Sequence, residues 1–282
     1  MHYPVISLTT DFGLRDPYVA EMKAVILSIC PDATIVDITH EINKFNVRMG
    51  AFILASASPY FPERTIHVAV VDPGVGMRRK AVLIRTKRAF YVGPDNGVLA
   101  LAAKNDGIEH IYEITSRKVM LSKISSTFHG RDIFAPVSAH LAKGKPPKQF
   151  GTEIRQIVTP AFATITKKKE VLIGEVLHID GFGNIITNLR QKELEFIGIK
   201  GLLFARLKNA KLKLRIHKTY ADAKAQEPLA VMGSHGFLEI SINQGSAAEA
   251  FKAEISGEVA ISSIGHHNEI FDSDNRKEAS CQ

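Results

Sequence analysis

Runs of strand length alternate with helical patterns through about residue 142, and several of the strands end on a loop that begins with a polar residue. Val5–Thr9 runs into Thr10-Asp11-Phe12-Gly13, Ile35–Ile38 into Thr39-His40, and His67–Val71 stops at Asp72, where Pro73, Gly74 and Gly76 force a turn followed at once by Arg78 and Arg79. Asp16-Pro17 reads as an N-cap with proline at the first helical position, opening a helix to about Ser28. Met49–Ser58, Val98–Ala103 and Ile133–Ala142 are further helical patterns, and Ala81–Thr86 with Ala89–Val92 reads as a hairpin about Lys87-Arg88. This alternation predicts a layered α/β domain with a largely parallel sheet, in which loops after the strands meet along one edge.

The pattern changes past Lys143-Gly144-Lys145-Pro146-Pro147-Lys148. From Glu170 onward the signals are short strands, which predict a smaller C-terminal β domain of barrel or sandwich type. The expected organisation is an α/β domain over 1–160, a linker over 161–169, a β domain over 170–265, and a polar, loose tail over 266–282. The net charge of +7 permits acidic partners, but the lysines are scattered. The local runs 143–148, 167–169 and 208–218 read as solvated faces and linkers, and no aromatic interleaving suggests a nucleic-acid groove. Cys30 and Cys281 build neither a disulfide framework nor a zinc site. With no leader pattern and no apolar run of membrane length, a cytoplasmic protein with no membrane partner is expected.

Four N-terminal loops collect the unusual polar residues: Asp11 with Asp16, Asp72 with Arg79, Asp95 with Asn96, and His129 with Arg131 and Asp132. A carboxylate beside a fixed cation and a histidine suits activation of a nucleophile without a metal. A metal site built from Asp37, His40, His129 and Asp132 is the rival, with no paired ligand spacing behind it. The glycines of 72–76 do not form a phosphate-binding loop of known pattern. His40, His67, His110 and His178 read as structural. In the β domain, Asp180, Phe182 and Asn184 fall around two glycines, an arrangement suited to a planar heterocycle or to a plain hairpin turn. Met232–Glu239 places Ser234 among backbone amides able to hold a carboxylate.

Taken together, TTDFG, VVDPGVG followed by arginine, VGPDNG, TFHGRDIFAP and DGFGN resemble the S-adenosyl-L-methionine hydrolases (SAM hydroxide adenosyltransferases), relatives of the fluorinase and chlorinase enzymes, over almost the whole chain. The resemblance implies that S-adenosylmethionine is the substrate, that no cofactor or metal is needed, and that water attacks C5′. It implies an Asp–Arg–His set at Asp72, Arg79 and His129, with Arg78 as the alternative arginine. It places substrate contacts at Asp11, Asp16 and Tyr18 and at Asp180, Phe182 and Asn184, with Tyr220 stacking on adenine. Asp95 and Asn96 lie in a matching motif and are expected to line the same site. Ser234 and His235 fall where the fluorinases hold the methionine carboxylate with serine and arginine, and His235 departs from that arginine. Homotrimers with sites between subunits are implied as well.

Overall fold

The computed structural model describes residues 4–168, 170–208 and 210–263, so the tail expected over 266–282 and the last two residues of the expected β domain lie outside the described residues. The chain divides into two compact units, Met1–Pro160 and Ala161–Gln282.

The first unit is built on a seven-stranded sheet in the order β2-β1-β3-β5-β4-β6-β7. Its strands are β1 (Val5–Thr10), β2 (Thr34–Thr39), β3 (Ile66–Val70), β4 (Ala81–Thr86), β5 (Phe90–Pro94), β6 (Ile108–Ile114) and β7 (Gly151–Ile154). β2, β1, β3 and β5 are parallel, while β4, β6 and β7 are joined by antiparallel pairings. α1 (Tyr18–Ile29) buries Val19, Met22 and Ile26, one helical stripe, and packs with α4 (Ala135–Ala142) over Ile6, Leu8, Val68 and Val70. Full burial of each such side chain contributes about 1.5–3 kcal/mol. α2 (Val47–Ala57) and α3 (Ala100–Asp106) pack on each other and on the sheet. Gly50 of α2 lies so close that an added Cβ would stand 3.0 Å from Val71.

The chain leaves β1 toward β2 on one side and returns to β3 on the other. The sheet therefore reverses direction of growth between β1 and β3, the place where open α/β sheets open a crevice beyond the strand ends. The register sets Thr10 opposite Val70, which brings the loops opening at Asp11 and Asp72 side by side.

The second unit is a closed barrel of seven strands. β9 (Val171–Ile179), β10 (Ile185–Arg190), β11 (Leu202–Leu207), β12 (Ala210–His217), β13 (Pro228–Met232), β14 (Phe237–Ile242) and β15 (Glu258–Ser262) close through the β9–β10 pairing, with β8 (Thr166–Lys168) added outside on β9. Short helices α5 (Gln191–Phe196) and α6 (Ala247–Phe251) follow β10 and β14. Leu172, Leu203, Leu214, Leu238 and Ile240 fill its interior.

Three local expectations change. Asp16 does not cap α1: it is exposed, no side chain caps the helix, and Pro17, whose ring already holds φ at −73°, makes the entry. The stretch 161–169 is not a plain linker, because Thr166–Lys168 pairs antiparallel with β9 and joins the second unit. The basic run 208–218 is a solvated face, as expected, but it is carried by strand β12 rather than by a linker, its outward lysines alternating with Leu212 and Leu214.

Candidate active site

Asp72 follows β3 after Val71, and its side chain is only 5% exposed. The turn carries the chain round to Arg79, whose Nε donates to Asp72 Oδ2 at 2.9 Å and Oδ1 at 3.1 Å. Nη2 donates to Asp72 Oδ2 at 2.5 Å and reaches His129 Nδ1 at 2.7 Å. Arg78 is exposed, so Arg79 is the arginine that joins the other two. The ring of Phe134 lies 5.4 Å from the Arg79 guanidinium and supports it from behind.

The turn works because of Gly76. Its φ is +76°, and a Cβ there would stand 2.3 Å from the carbonyl oxygen of Ser126. Glycine thus lets the 72–80 loop press against the segment that carries His129, which enters one turn of π-helix over Gly130–Phe134. Asp132 fixes that segment: fully buried, it accepts from the Ser125 amide at 2.7 Å and from Arg131 Nε at 2.7 Å, while Arg131 Nη1 reaches Glu21 at 2.8 Å. The Arg131 and Ser125 bonds hold the Asp132 pKa below its ordinary value despite burial.

Arginine only donates. His129 Nδ1 must therefore offer its lone pair to Arg79, which puts the proton of the neutral ring on Nε2. Burial, reinforced by the Arg79 charge, pushes the His129 pKa down and favours that neutral form. Arg79 Nη1 keeps its two donors uncommitted among the described residues.

Asp11 is buried and accepts from the Phe45 amide at 2.8 Å through Oδ2, while Lys44 Nζ binds its carbonyl. Sequence reasoning missed Lys44 and Phe45, and no local pattern signals them; Phe45 is exposed, at φ 65°, ahead of the Asn46 helix cap. Asp16 and Tyr18 are exposed. Tyr18 stands in an aromatic trio with Phe12 and Phe128, ring centroids 5.1–5.8 Å apart, which the motifs contained without marking it as a wall.

Asp95 and Asn96 are used structurally. Asn96 Nδ2 donates to Val71 O at 2.8 Å and its Oδ1 accepts from Val98, latching the residue just before Asp72. Asp95 accepts from the Val158 amide at 2.8 Å, and burial raises its pKa. The members of the rival metal set are engaged elsewhere: His40 binds Thr10 Oγ1 and stands 3.1 Å from Asp37, Asp132 is held by Arg131, and His129 by Arg79. Among the described residues no group of three or more His, Cys, Asp or Glu is placed to hold a metal. His67 is structural, buried on Ser7 Oγ at 2.7 Å and stacked on Tyr91, and burial takes its pKa down to about 3.

In the barrel, the loop between β9 and β10 closes on itself. Asp180 Oδ1 accepts from the amides of Phe182 and Asn184, each at 2.9 Å, and Oδ2 accepts from Asn184 Nδ2 at 2.9 Å. The consequence is Phe182, 83% exposed at the loop tip. Tyr220 donates to Glu239 Oε2 at 2.6 Å. Glu239 is a buried carboxylate that sequence reasoning named only as the end of a cluster; Gly233 makes room for it, since a Cβ there would fall 1.7 Å from Oε1. Burial raises the Glu239 pKa against the Tyr220 bond, and Asp180 adds to the rise; burial and Glu239 in turn push Tyr220 upward. Ser234 and His235 are exposed in the turn between β13 and β14.

The family models for the SAM hydroxide adenosyltransferase N-terminal and C-terminal domains match residues 6–151 and 174–260. An (R)-S-adenosyl-L-methionine hydrolase of Methanocaldococcus jannaschii is 40% identical over 266 residues, covering 91% of this chain and 95% of its own. A fluorinase of Actinopolyspora mzabensis is 30% identical over 277 residues, covering 87% and 92%. A solved structure of a conserved protein from Thermotoga maritima superposes with a TM-score of 0.80 at 38% identity, covering 92% of this chain and all of that one. Among the described residues no helix is long and apolar enough to cross a membrane. Two domain models, matched in order to the two units that the fold itself separates, place the chain in the SAM hydroxide adenosyltransferase family.

Proposed function

We propose that the protein hydrolyses S-adenosyl-L-methionine to adenosine and L-methionine, with water attacking C5′. The (R) in the names of its hydrolase relatives directs the proposal to the (R) epimer at sulfur. The observation that carries the reading is the Asp72–Arg79–His129 chain of hydrogen bonds beside the β1/β3 crevice. The C5′–O bond forms as the C5′–S bond breaks, and its electron pair neutralises the sulfonium. A leaving group that departs neutral needs no Lewis acid, so the site's task is to place and polarise one water. Arg79 Nη1 and His129 Nε2–H donate to the attacking oxygen, and Asp72 Oδ1, the carboxylate oxygen less tied to Arg79, takes the proton released. Orientation of this kind is worth up to about 7–11 kcal/mol in ideal cases, and a positioned base about 10²–10⁴-fold.

Asp11 is proposed to grip the ribose hydroxyls, with Asp16 and Tyr18 along the same wall. Phe182 and Tyr220 give the barrel's aromatic surfaces for the adenine, Asp180 and Asn184 shape that loop, and Ser234 and His235 stand for the methionine carboxylate. Asp95 and Asn96 act behind the site, through Val71 and Val158. We place the two units of different copies around one substrate in a cytoplasmic homotrimer; sedimentation of an active monomer would contradict that assembly.

The test is incubation of the pure protein with separated (R) and (S) epimers, with and without halide and chelator. The expected products are adenosine and methionine, faster from the (R) epimer and unaffected by chelation. A 5′-halo-5′-deoxyadenosine formed in place of adenosine would make the protein a halogenase, and loss of activity on chelation would overturn the metal-free step.

A further inference from the structure

The sheet edge opposite the candidate active site carries a second constellation. β3 and β5 are parallel and β4 runs against them, so the starts of β3 and β5 and the end of β4 share that edge. Arg64 precedes β3, Arg88 precedes β5, and Arg85 and Lys87 stand at the end of β4. The turn after α4 adds Lys145. These five cations line one cavity of about 260 Å³, with Phe90 and Leu141 among its apolar walls. From Arg64 to Asp72 is about 25 Å at roughly 3.3 Å per residue, so this cavity is separate from the catalytic loops.

Gathering like charges around one cavity is unfavourable unless something offsets them. Arg85 has Glu109 at 3.2 Å, and among the described residues the Arg88 guanidinium donates to the carbonyls of Pro59 and Phe61 at 3.3 and 3.5 Å. Arg64, Lys87 and Lys145 have no ion pair among the described residues. Arg64 is moreover in a left-handed conformation, φ 66°, its backbone N–H donating to the carbonyl of Arg88 at 2.6 Å, a conformation that costs a non-glycine residue energy. The positive field reaches inward: Lys145 adds to the burial that lowers His140, and Arg88 to the burial that lowers His67. Glu63 is an acid near the same edge, lining the neighbouring cavity beside Arg64.

We propose that this cavity binds a small phosphate-bearing metabolite, its phosphate held among Arg64, Lys87 and Lys145 and its apolar or planar part against Phe90 and Leu141. Phosphate accepts from several donors at once, and three separate segments bring donors to the cavity lining. The volume suits a monophosphate ester rather than a polymer.

The probes are inorganic phosphate and phenyl phosphate, neither of which carries the adenosine that the catalytic site is proposed to take. Titrations at constant ionic strength, followed by ³¹P NMR, compare the wild type with Lys87→Met/Lys145→Met and with Lys211→Met/Lys213→Met. The second pair removes the same charge from the barrel. The expected result is saturable binding, tighter for phenyl phosphate, weakened about tenfold or more by the first pair and little changed by the second, tenfold being about 1.4 kcal/mol. Equal weakening by both pairs, no saturable binding, or undiminished binding in Lys87→Met/Lys145→Met would overturn the proposal. So would a single-stranded oligonucleotide that displaces phenyl phosphate and binds far more tightly, which would make the edge a polymer-binding face.

Discussion

The loop cluster of the first unit and the loop cluster of the barrel both contain carboxylates, an aromatic wall and a histidine, yet they distribute their hydrogen bonds in opposite ways. In the first unit the bonds run between distant segments, Asp72 to Arg79 to His129, and among the described residues leave donors on Arg79 Nη1 and His129 Nε2 uncommitted. In the barrel, Asp180 satisfies both its oxygens within its own loop, Tyr220 donates to Glu239, and the tip of the Asp180 loop presents the exposed apolar ring of Phe182. Uncommitted polar donors on a rigid frame are what stabilises charge developing in a transition state. An exposed ring on a self-satisfied loop offers shape and contact area, felt alike by ground and transition states. On the proposed function, this difference assigns the chemistry to the first unit and much of the fit to the barrel.

The sharpest break of this comparison is at Arg79. Arg79→Ala and His129→Ala should lower the single-turnover rate by about 10²–10³-fold, the range for removing a transition-state donor. Equilibrium binding of substrate should stay near wild type, and the double variant should lose little more than either single one. Wild-type rates in both variants would remove the chemistry from the first unit. Next comes Gly76→Ala, which forces an alanine into φ +76° against the Ser126 carbonyl and should cost about 1–3 kcal/mol of stability in urea unfolding, together with much of the rate. Glycine-to-alanine at Gly181, where an added Cβ meets nothing within 4 Å, is the matched change in the barrel and should spare the rate.

The pH dependence separates the regions more finely. Protonation of His129 destroys the acceptor facing Arg79 and sets a cation against it. Because burial and Arg79 hold its pKa below 6.5, kcat should stay level down through that value and fall only at lower pH. The smallest effect is expected from Phe182→Ala, which should raise KM by about tenfold or less, about 1.4 kcal/mol, with kcat and stability nearly unchanged. A large loss of kcat with KM unaltered would contradict the division of labour.

The residues that were legible in the sequence are those whose physics is local. A buried strand must be apolar and the loop after it is free to be polar, so His67–Val71 followed by Asp72 announces both the strand and the site carboxylate. What depends on distant segments was not legible. Spacing cannot tell Arg78 from Arg79; the Gly74–Gly76 turn and the Ser126 contact decide it. Asn96 was expected to line the site because it lies in a matching motif, and both its ends are used on backbone. Nothing in 41–46 announces that Phe45 and Lys44 close on Asp11. Glu239 sits inside a strand opposite Val231, where period-2 reading assigns a carboxylate to solvent, and the missing side chain of Gly233 leaves room for the buried carboxylate. Strands β6 and β7 went unread because their polar residues blur the alternation, and the lysines of β12 did the same for the barrel.

The central claim is that water held by Asp72, Arg79 and His129 attacks C5′. One turnover in H₂¹⁸O tests it most directly, with mass spectrometry of both products and Arg79→Ala run beside the wild type. One labelled oxygen is expected, carried by the 5′-hydroxyl of adenosine, with none in methionine and almost no labelled adenosine from the variant in the same time. Unlabelled adenosine, label in the amino-acid product, or equal labelling by Arg79→Ala would contradict it.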